Sequence, residues 1–174
     1  MKKAPQTMNS NIILGVDPGT HVSGYGLIYI QDHTYIPLDY GCIRPPSRFK
    51  LSERYLVIYD SIEEIIEKYQ PTVLVVEMQF MYKNAQSALK LGMARSAVML
   101  PAKKKGLPIF EYAPTVAKRA VVGNGRASKY QVQGMVQRIL KLSSLPQPED
   151  AADALALAIC HAQAAPHLQA KNEV

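Results

Sequence analysis

The sequence predicts one α/β domain built on a mixed five-stranded sheet with helices on both faces. Three observations carry this prediction: short apolar segments separated by turn residues near the start, one continuous β-branched segment near the middle, and apolar residues at helical spacing between and after them. Strands and helices therefore alternate along the chain, as they do in α/β proteins. A chain of 174 residues suffices for one such domain, which buries roughly 70% of its unfolded surface.

The first three strands are predicted to form an antiparallel meander. Residues 12–17 are apolar and end at Asp17, where a Pro-Gly pair turns the chain. Residues 24–30 form the second strand, and the segment YIPLDYGCIR forms the third. Their short polar connections favour pairing between consecutive strands. We expect the glycines that follow Asp17 to form a hairpin that narrows the entry to a site at this strand end.

The central part of the chain predicts a helix followed by a buried strand. Residues 51–69 form an amphipathic helix whose apolar positions are Leu51, Tyr55, Ile58, Ile62, Ile65 and Ile66. The segment TVLVVE, residues 72–77, is apolar and β-branched up to its last residue. This pattern is typical of a central strand that is covered by helices on both faces and runs parallel to a neighbour.

The remaining elements complete the sheet and its helical layers. Residues 84–100 predict a second helix, and the segment LPIFEY predicts a fifth strand. Residues 114–121, 128–141 and 148–164 predict three further helices. Sheets of this kind gather ligands at the carboxyl ends of their strands, so we look for a site there.

The composition favours a reducing compartment. Cys42 and Cys160 lack C-x-x-C spacing and lie in apolar segments, so we expect buried thiols rather than a disulfide or a structural zinc site. The N-terminal segment lacks the apolar core of a signal peptide, and polar residues interrupt the apolar run 154–170, which falls short of a membrane span. We expect a cytoplasmic protein.

Neither a linker nor an internal repeat divides the sequence. We expect a flexible N-terminal extension over residues 1–10, a single domain over 11–165 and a flexible C-terminal tail over 166–174. The net charge of +6 and the isoelectric point near 9.3 indicate an acidic partner, for which nucleic acid is favoured over a membrane surface.

Four carboxylates are the candidate site residues. Asp17 and Glu77 each end an apolar strand, although a turn-forming aspartate and a glutamate at the solvent boundary would explain each one alone. Asp150 and Asp153 lie three residues apart on one face of the last helix. An acid in the first turn favours a helix start, which explains Asp150 but explains Asp153 less well.

Acids that converge from three separate elements are the ligands that Mg²⁺ and Mn²⁺ prefer, and they would be costly to place together without a cation. Two such ions roughly 4 Å apart can activate a water on one side of a phosphodiester and stabilise the departing oxygen on the other. Together with the basic charge, the acids predict metal-dependent cleavage of a nucleic-acid backbone.

The chain resembles the RuvC family of Holliday-junction resolvases, which are bacterial endonucleases with a ribonuclease-H-like fold. The resemblance extends from about residue 11 to about residue 163 and rests on four segments in family order and at family-like spacing: ILGVDPGTHVSGYGLI, VVEMQFMYKNAQSALKLGMARS, IFEYAPTVAKRAVVGNGRASKYQVQGMV and DAADALALAICHA.

The resemblance implies an activity, a cofactor and partners. Asp17, Glu77, Asp150 and Asp153 match the four acidic catalytic residues of the family, which bind two Mg²⁺ ions per active site, with Mn²⁺ as a substitute. Family members bind four-way junction DNA as homodimers and nick two strands symmetrically. They work with the RuvAB branch-migration complex in recombination and repair, and no membrane is involved.

Two groups of residues are predicted to contact DNA. Phe80 lies in a loop beside the site and matches the family's junction-probing phenylalanine, although an apolar side chain there would also serve as core; Tyr82 stays undecided. Lys118, Arg126 and Lys129 flank a Gly-Asn-Gly turn that suits a clamp on phosphates, and both lysines coincide with lysines that matter in the family. A solvated loop is the alternative.

The stripe of Ala88, Gly92 and Ser96 along the second long helix permits close approach of another helix, either within the domain or across a two-fold interface. The lysines at 103–105 are expected to lie at a helix C-terminus and to stay solvated.

Two other classes of protein share parts of this pattern. Actin-like and sugar-kinase-like ATPases also begin with a strand that ends in Asp-x-Gly-Thr, but they need a second related domain for which this chain is too short. A module that only binds branched DNA would leave four acids facing a polyanion without purpose.

Overall fold

The structure is a computed structural model, and it describes residues 11–78, 84–164 and 171–174. Their ten helices and strands, in chain order, are β1 (Ile12–Asp17), β2 (Ser23–Gln31), β3 (Thr34–Ile43), α1 (Leu51–Tyr69), β4 (Val73–Glu77), α2 (Ala85–Lys104), β5 (Ile109–Tyr112), α3 (Pro114–Val122), α4 (Lys129–Ile139) and α5 (Glu149–Gln163). The predicted elements are all present, with ends that differ by at most four residues.

The five strands form one mixed sheet in the order β3-β2-β1-β4-β5. The first three strands pair antiparallel, as their short connections predicted. β4 pairs parallel to β1 on one side and to β5 on the other, which confirms the central parallel position predicted from its continuous apolar run. β1 and β4 therefore lie side by side at the centre and end in the same direction.

Helices cover both faces of the sheet. α1 and α2 pack on one face around a core that includes Leu14, Ile58 and Val98. α3, α4 and α5 pack on the other face around Val75, Val136 and Leu155. A salt bridge between Arg95 of α2 and Glu111 of β5 adds a polar link between the first layer and the edge strand. The mixed α/β architecture with two helical layers is confirmed.

α2 is longer than predicted. The sequence indicated an end before Pro101, because proline cannot donate a hydrogen bond in a helix interior. The helix instead continues through Pro101, which is buried, to Lys104. Contact with the core outweighs the single lost hydrogen bond, because Ala97, Val98 and Ala102 on either side of the proline are also buried.

The described residues at the C-terminal end depart from the flexible tail predicted over 166–174. Glu173 pairs with Phe110 in an antiparallel bridge, and the Val174 amide donates to the carbonyl oxygen of Ile109 at 3.0 Å. The free edge of β5 supplies these partners, because an edge strand presents unpaired backbone groups. Residues 171–174 therefore add a short pairing to the sheet.

Candidate active site

Asp17 and Glu77 meet where the two central strands end. Val16 pairs with Val76 in the parallel ladder, so the next residue of each strand lies beside the other. Asp17 also pairs across the antiparallel ladder with Gly24 of β2. The sequence-based expectation that these two acids come together at one strand end is therefore met by the register of the sheet.

α5 brings the second pair of acids to the same place. The helix begins at Glu149, directly after Pro148, and runs across the middle of the sheet. Ten of its eleven residues from Ala151 to His161 are buried, and the exception is Asp153. Asp150 and Asp153 stand in its first turns on the face towards Asp17. One carboxylate oxygen each from Asp17, Asp150 and Asp153 lie within 4.8 Å of one another.

Glycines in the sheet allow α5 to approach this closely. A Cβ atom added at Gly15 would collide with the backbone carbonyl of Ala154, and one added at Gly24 would collide with that of Asp150. β1 and β2 form an antiparallel hairpin with Gly19 in its connection, but Gly24 and Gly26 lie within β2 rather than in the turn at the strand end. They lie within a strand, where the missing side chain leaves room for the helix backbone.

Burial and mutual repulsion raise the pKa of Asp17, Glu77 and Asp153. Desolvation is the largest cause for Asp17, followed by the charges of Glu77, Asp153 and Asp150, and together they raise its pKa to about 8. Desolvation and then Asp153 raise the pKa of Glu77 to about 7. The pKa of Asp153 is raised by burial, against the lowering effect of Lys129 and Lys118.

The donor set fits a hard divalent cation. Carboxylate oxygens are the preferred ligands of Mg²⁺ and Mn²⁺, and a cation would relieve the repulsion that now favours protonation of the buried acids. Asp17, Asp150 and Asp153 form the tight group, and Glu77 extends it on the β4 side through its contact with Asp17.

Lys129 lies among the acids rather than on a separate DNA-facing loop. It is the first residue of α4, and its Nζ atom lies 3.6 Å from Glu149 Oε2, 3.7 Å from Asp150 Oδ1 and 3.6 Å from Asp153 Oδ2. Burial opposes its charge, but the acids outweigh this effect and raise its pKa above the ordinary value. Sequence reasoning missed this placement, because no local pattern relates residue 129 to residues 149–153.

The remaining cations of the predicted clamp lie around the turn between α3 and α4. Arg119 and Arg126 line an open cavity of about 500 Å³ together with Thr115 and the Gly-Asn-Gly turn. Gly123 ends α3 with φ of 80°, and the Asn124 side chain accepts a hydrogen bond from the Arg126 amide at 3.0 Å, so the turn is internally braced. Lys118 is not part of this lining but acts electrostatically on Glu77 and Asp153.

Further predictions concern residues in other parts of the chain. Phe80 and Tyr82 lie outside the described residues. Lys104 and Lys105 are not merely solvated, because they form surface ion pairs with Glu63 and Glu67 of α1.

The small-residue stripe of α2 leaves open space within the described part of the fold: a Cβ atom added at Gly92 would meet nothing within 4 Å. Four large apolar side chains are also exposed on this layer, namely Leu56, Leu89, Met93 and Leu100.

None of the helices in the described ranges is both long enough and apolar enough to cross a membrane.

Known proteins of one family are similar to this chain. The family model for crossover junction endodeoxyribonuclease RuvC matches residues 13–161. The crossover junction endodeoxyribonuclease RuvC of Protochlamydia amoebophila (strain UWE25) is 67% identical over 155 residues, which are 89% of this chain and 92% of that protein. The Shewanella amazonensis (strain ATCC BAA-1098 / SB2B) protein of the same name is 54% identical over 150 residues, 86% of each chain.

Among solved structures, T. thermophilus RuvC in complex with Holliday junction substrate matches with a TM-score of 0.84 at 30% sequence identity. The match covers 94% of this chain and 99% of that one. It confirms the predicted ribonuclease-H-like fold class.

Proposed function

The chain belongs to the RuvC family of crossover junction endodeoxyribonucleases, and from this premise we propose that it resolves Holliday junctions by metal-dependent nicking of two DNA strands in recombination and repair. The observation that carries the proposal is the convergence of Asp17, Asp150 and Asp153 from two elements, with Glu77 beside Asp17 from a third. Partly buried acids so close together have little structural use unless they bind a cation.

We assign Asp17, Glu77, Asp150 and Asp153 as the catalytic residues and as ligands for two Mg²⁺ ions, for which Mn²⁺ would substitute. When bound, the ions would supply an activated water and stabilise negative charge on the departing oxygen. The role of the protein itself is to hold the four carboxylates in place. β1 and β4 fix Asp17 and Glu77 through the sheet register, and the packing of α5 fixes the other two.

Positive side chains around the acids suit a DNA backbone. Lys118 acts on the acids themselves, whereas Arg119 and Arg126 line the cavity between α3 and α4. Guanidinium groups at an open cavity bind phosphate oxygens well, because their donors match the geometry of phosphate. We propose that the scissile strand crosses the acids and that its flanking phosphates reach this cavity. Phe80 stays a prediction as the side chain that contacts unpaired bases.

We further propose that the protein acts as a homodimer in the cytoplasm, alongside the RuvAB complex. Symmetric nicking of a four-way junction requires two equivalent sites, which a closed two-fold dimer provides. The exposed apolar side chains of Leu56, Leu89, Met93 and Leu100 support α1 and α2 as the contact surface, because large apolar groups on a surface are typical of interfaces.

The first experiment compares cleavage of a labelled four-way junction with cleavage of linear duplex of the same sequence, in Mg²⁺, in Mn²⁺ and in chelator. We expect paired nicks that are confined to the junction and are lost in chelator. Junction binding without nicks under any divalent ion would instead show a recognition module. Equal cutting of the linear duplex would show a nuclease without junction selectivity.

A further inference from the structure

The ammonium of Lys129 lies beside the acids of the candidate metal site. Its three nearest carboxylate oxygens, from Glu149, Asp150 and Asp153, lie 3.6–3.7 Å from Nζ. Charge-assisted hydrogen bonds between nitrogen and oxygen are shorter, about 2.7–2.9 Å. Lys129 therefore shares its charge among three acids without forming a close bond to any one of them.

Two of these partners are also members of the candidate metal group. Asp150 and Asp153 contribute oxygens both to the contacts with Lys129 and to the cluster completed by Asp17. A divalent cation and an ammonium group on the same two carboxylates would repel each other in a site of low dielectric constant. The two cations therefore compete for these acids.

The structure also allows Lys129 to leave. Its backbone is held at the start of α4, where Ser128 caps the helix by accepting from the Gln131 amide, but half of the side chain is exposed to solvent. A lysine ammonium stands on a flexible four-carbon stem, so it reorients without movement of the helix.

We propose that Lys129 is a displaceable counter-ion of the active site. Its ammonium neutralises Glu149, Asp150 and Asp153 while the site holds no metal, and it turns away towards the DNA side when a divalent cation binds. This proposal rests on the proposed function, since it requires that the acids bind metal. It predicts that Lys129 weakens metal binding in the absence of DNA, which a lysine that only contacts phosphate would not do.

Lys118 offers a matched control. It also acts electrostatically on Glu77 and Asp153, yet it forms no ion pair with an acid among the described residues. Removal of either lysine makes the local field more negative, but only removal of Lys129 takes away a competitor for the ligand atoms.

The test is a titration of the full-length, metal-free protein with Mn²⁺ at fixed pH and ionic strength without DNA, with free Mn²⁺ measured by electron paramagnetic resonance. We expect Lys129→Met and Lys129→Gln to tighten Mn²⁺ binding by about tenfold, within the usual range of coupling between two sites. Lys118→Met is expected to change it less than threefold, and Lys129→Arg is expected to stay near wild type.

The outcomes separate this proposal from the proposed function. Equal tightening by Lys118→Met and Lys129→Met would overturn the counter-ion role, because a general field effect would then suffice. Unchanged affinity in both Lys129 variants, with binding lost in Asp150→Asn, would overturn it while leaving the metal site in place. Absence of Mn²⁺ binding from the wild type would overturn both.

Discussion

At the scale of single residues, the ionised carboxylate of Asp17 is unfavourable for stability, because it is desolvated and lies beside other acids. Its carboxyl has an ordinary pKa of 3.8, and burial beside other acids raises the pKa to about 8 in the folded protein. The folded state therefore holds a proton that the unfolded state has released between about pH 4 and pH 8. The free energy of unfolding contributed by Asp17 is largest below pH 4 and falls as the pH rises towards 8.

Asp17→Asn is accordingly expected to stabilise the metal-free protein at pH 8 by roughly 1–3 kcal/mol, because it removes a buried like charge. The same change should lower the cleavage rate by at least about a hundredfold, since even outer-shell changes at metal sites cost 10–100-fold, with junction binding largely retained. Thermal unfolding in chelator from pH 5 to pH 8 measures the stability. An equally steep loss of stability with pH in wild type and variant would show that Asp17 does not carry this proton.

Arg126 lines the cavity that we propose faces DNA phosphates, so its removal should act on binding rather than on chemistry. Arg126→Ala is expected to weaken junction binding several-fold at low salt and to reduce the dependence of log Kd on log salt by about one, the equivalent of one lost phosphate contact. Fluorescence anisotropy at several salt concentrations measures both quantities. Arg138→Ala at the exposed far end of α4 is the control, and an equal effect there would argue against a specific phosphate contact.

At the scale of elements, the decisive contact is the seating of α5 on the glycines of β1 and β2. A methyl group at Gly24 would meet the backbone of Asp150 itself, and backbone atoms cannot move aside as the end of a flexible side chain can. The helix would shift at the turn that carries two of the four acids. Position and stability of the site thus depend on residues that contain no functional group.

Gly24→Ala is therefore expected to destabilise the protein by about 1–3 kcal/mol and to reduce cleavage beyond what the loss of folded protein explains. Gly134→Ala in α4 is the matched control, because its added methyl meets no atom within 4 Å and alanine favours a helix by roughly 0.5–1 kcal/mol. Chemical denaturation and cleavage assays at matched folded concentrations measure the two effects. A Gly24→Ala protein with normal stability and activity would contradict the close seating of α5.

At the scale of the whole molecule, the two helical layers have different outward faces. The layer of α3, α4 and α5 carries Asp150, Asp153 and the basic cavity, whereas the layer of α1 and α2 exposes large apolar side chains. This division separates the proposed DNA-facing side from the proposed contact surface between subunits. An active dimer would then present its two sites without covering them.

Leu100→Glu tests this arrangement. Leu100 is 60% exposed, so the charge should not unfold the subunit, but it would be costly to bury between two copies. We expect sedimentation to show a shift from dimer to monomer and paired nicking of the junction to be lost. Leu38→Glu changes an exposed leucine on β3 and should leave the dimer intact. Dimers that persist in Leu100→Glu would place the interface elsewhere.

Local patterns in the sequence were sufficient to predict the order and type of the elements, the central parallel position of β4 and the four candidate acids. These features depend on the spacing of apolar residues and on what lies at the end of each strand, which neighbouring residues determine. The length of α2 beyond Pro101 was not predictable, because burial against distant residues overrides the local preference of proline.

Only the tertiary structure decided how these elements combine. The glycines of β1 and β2 are required by contact with α5, a helix more than a hundred residues later in the chain. Lys129 lies among the acids because the starts of α4 and α5 are close together. Glu173 pairs with Phe110 at the open edge of β5. Each of these contacts links segments far apart in the chain, and their free energy depends on packing that no local sequence pattern records.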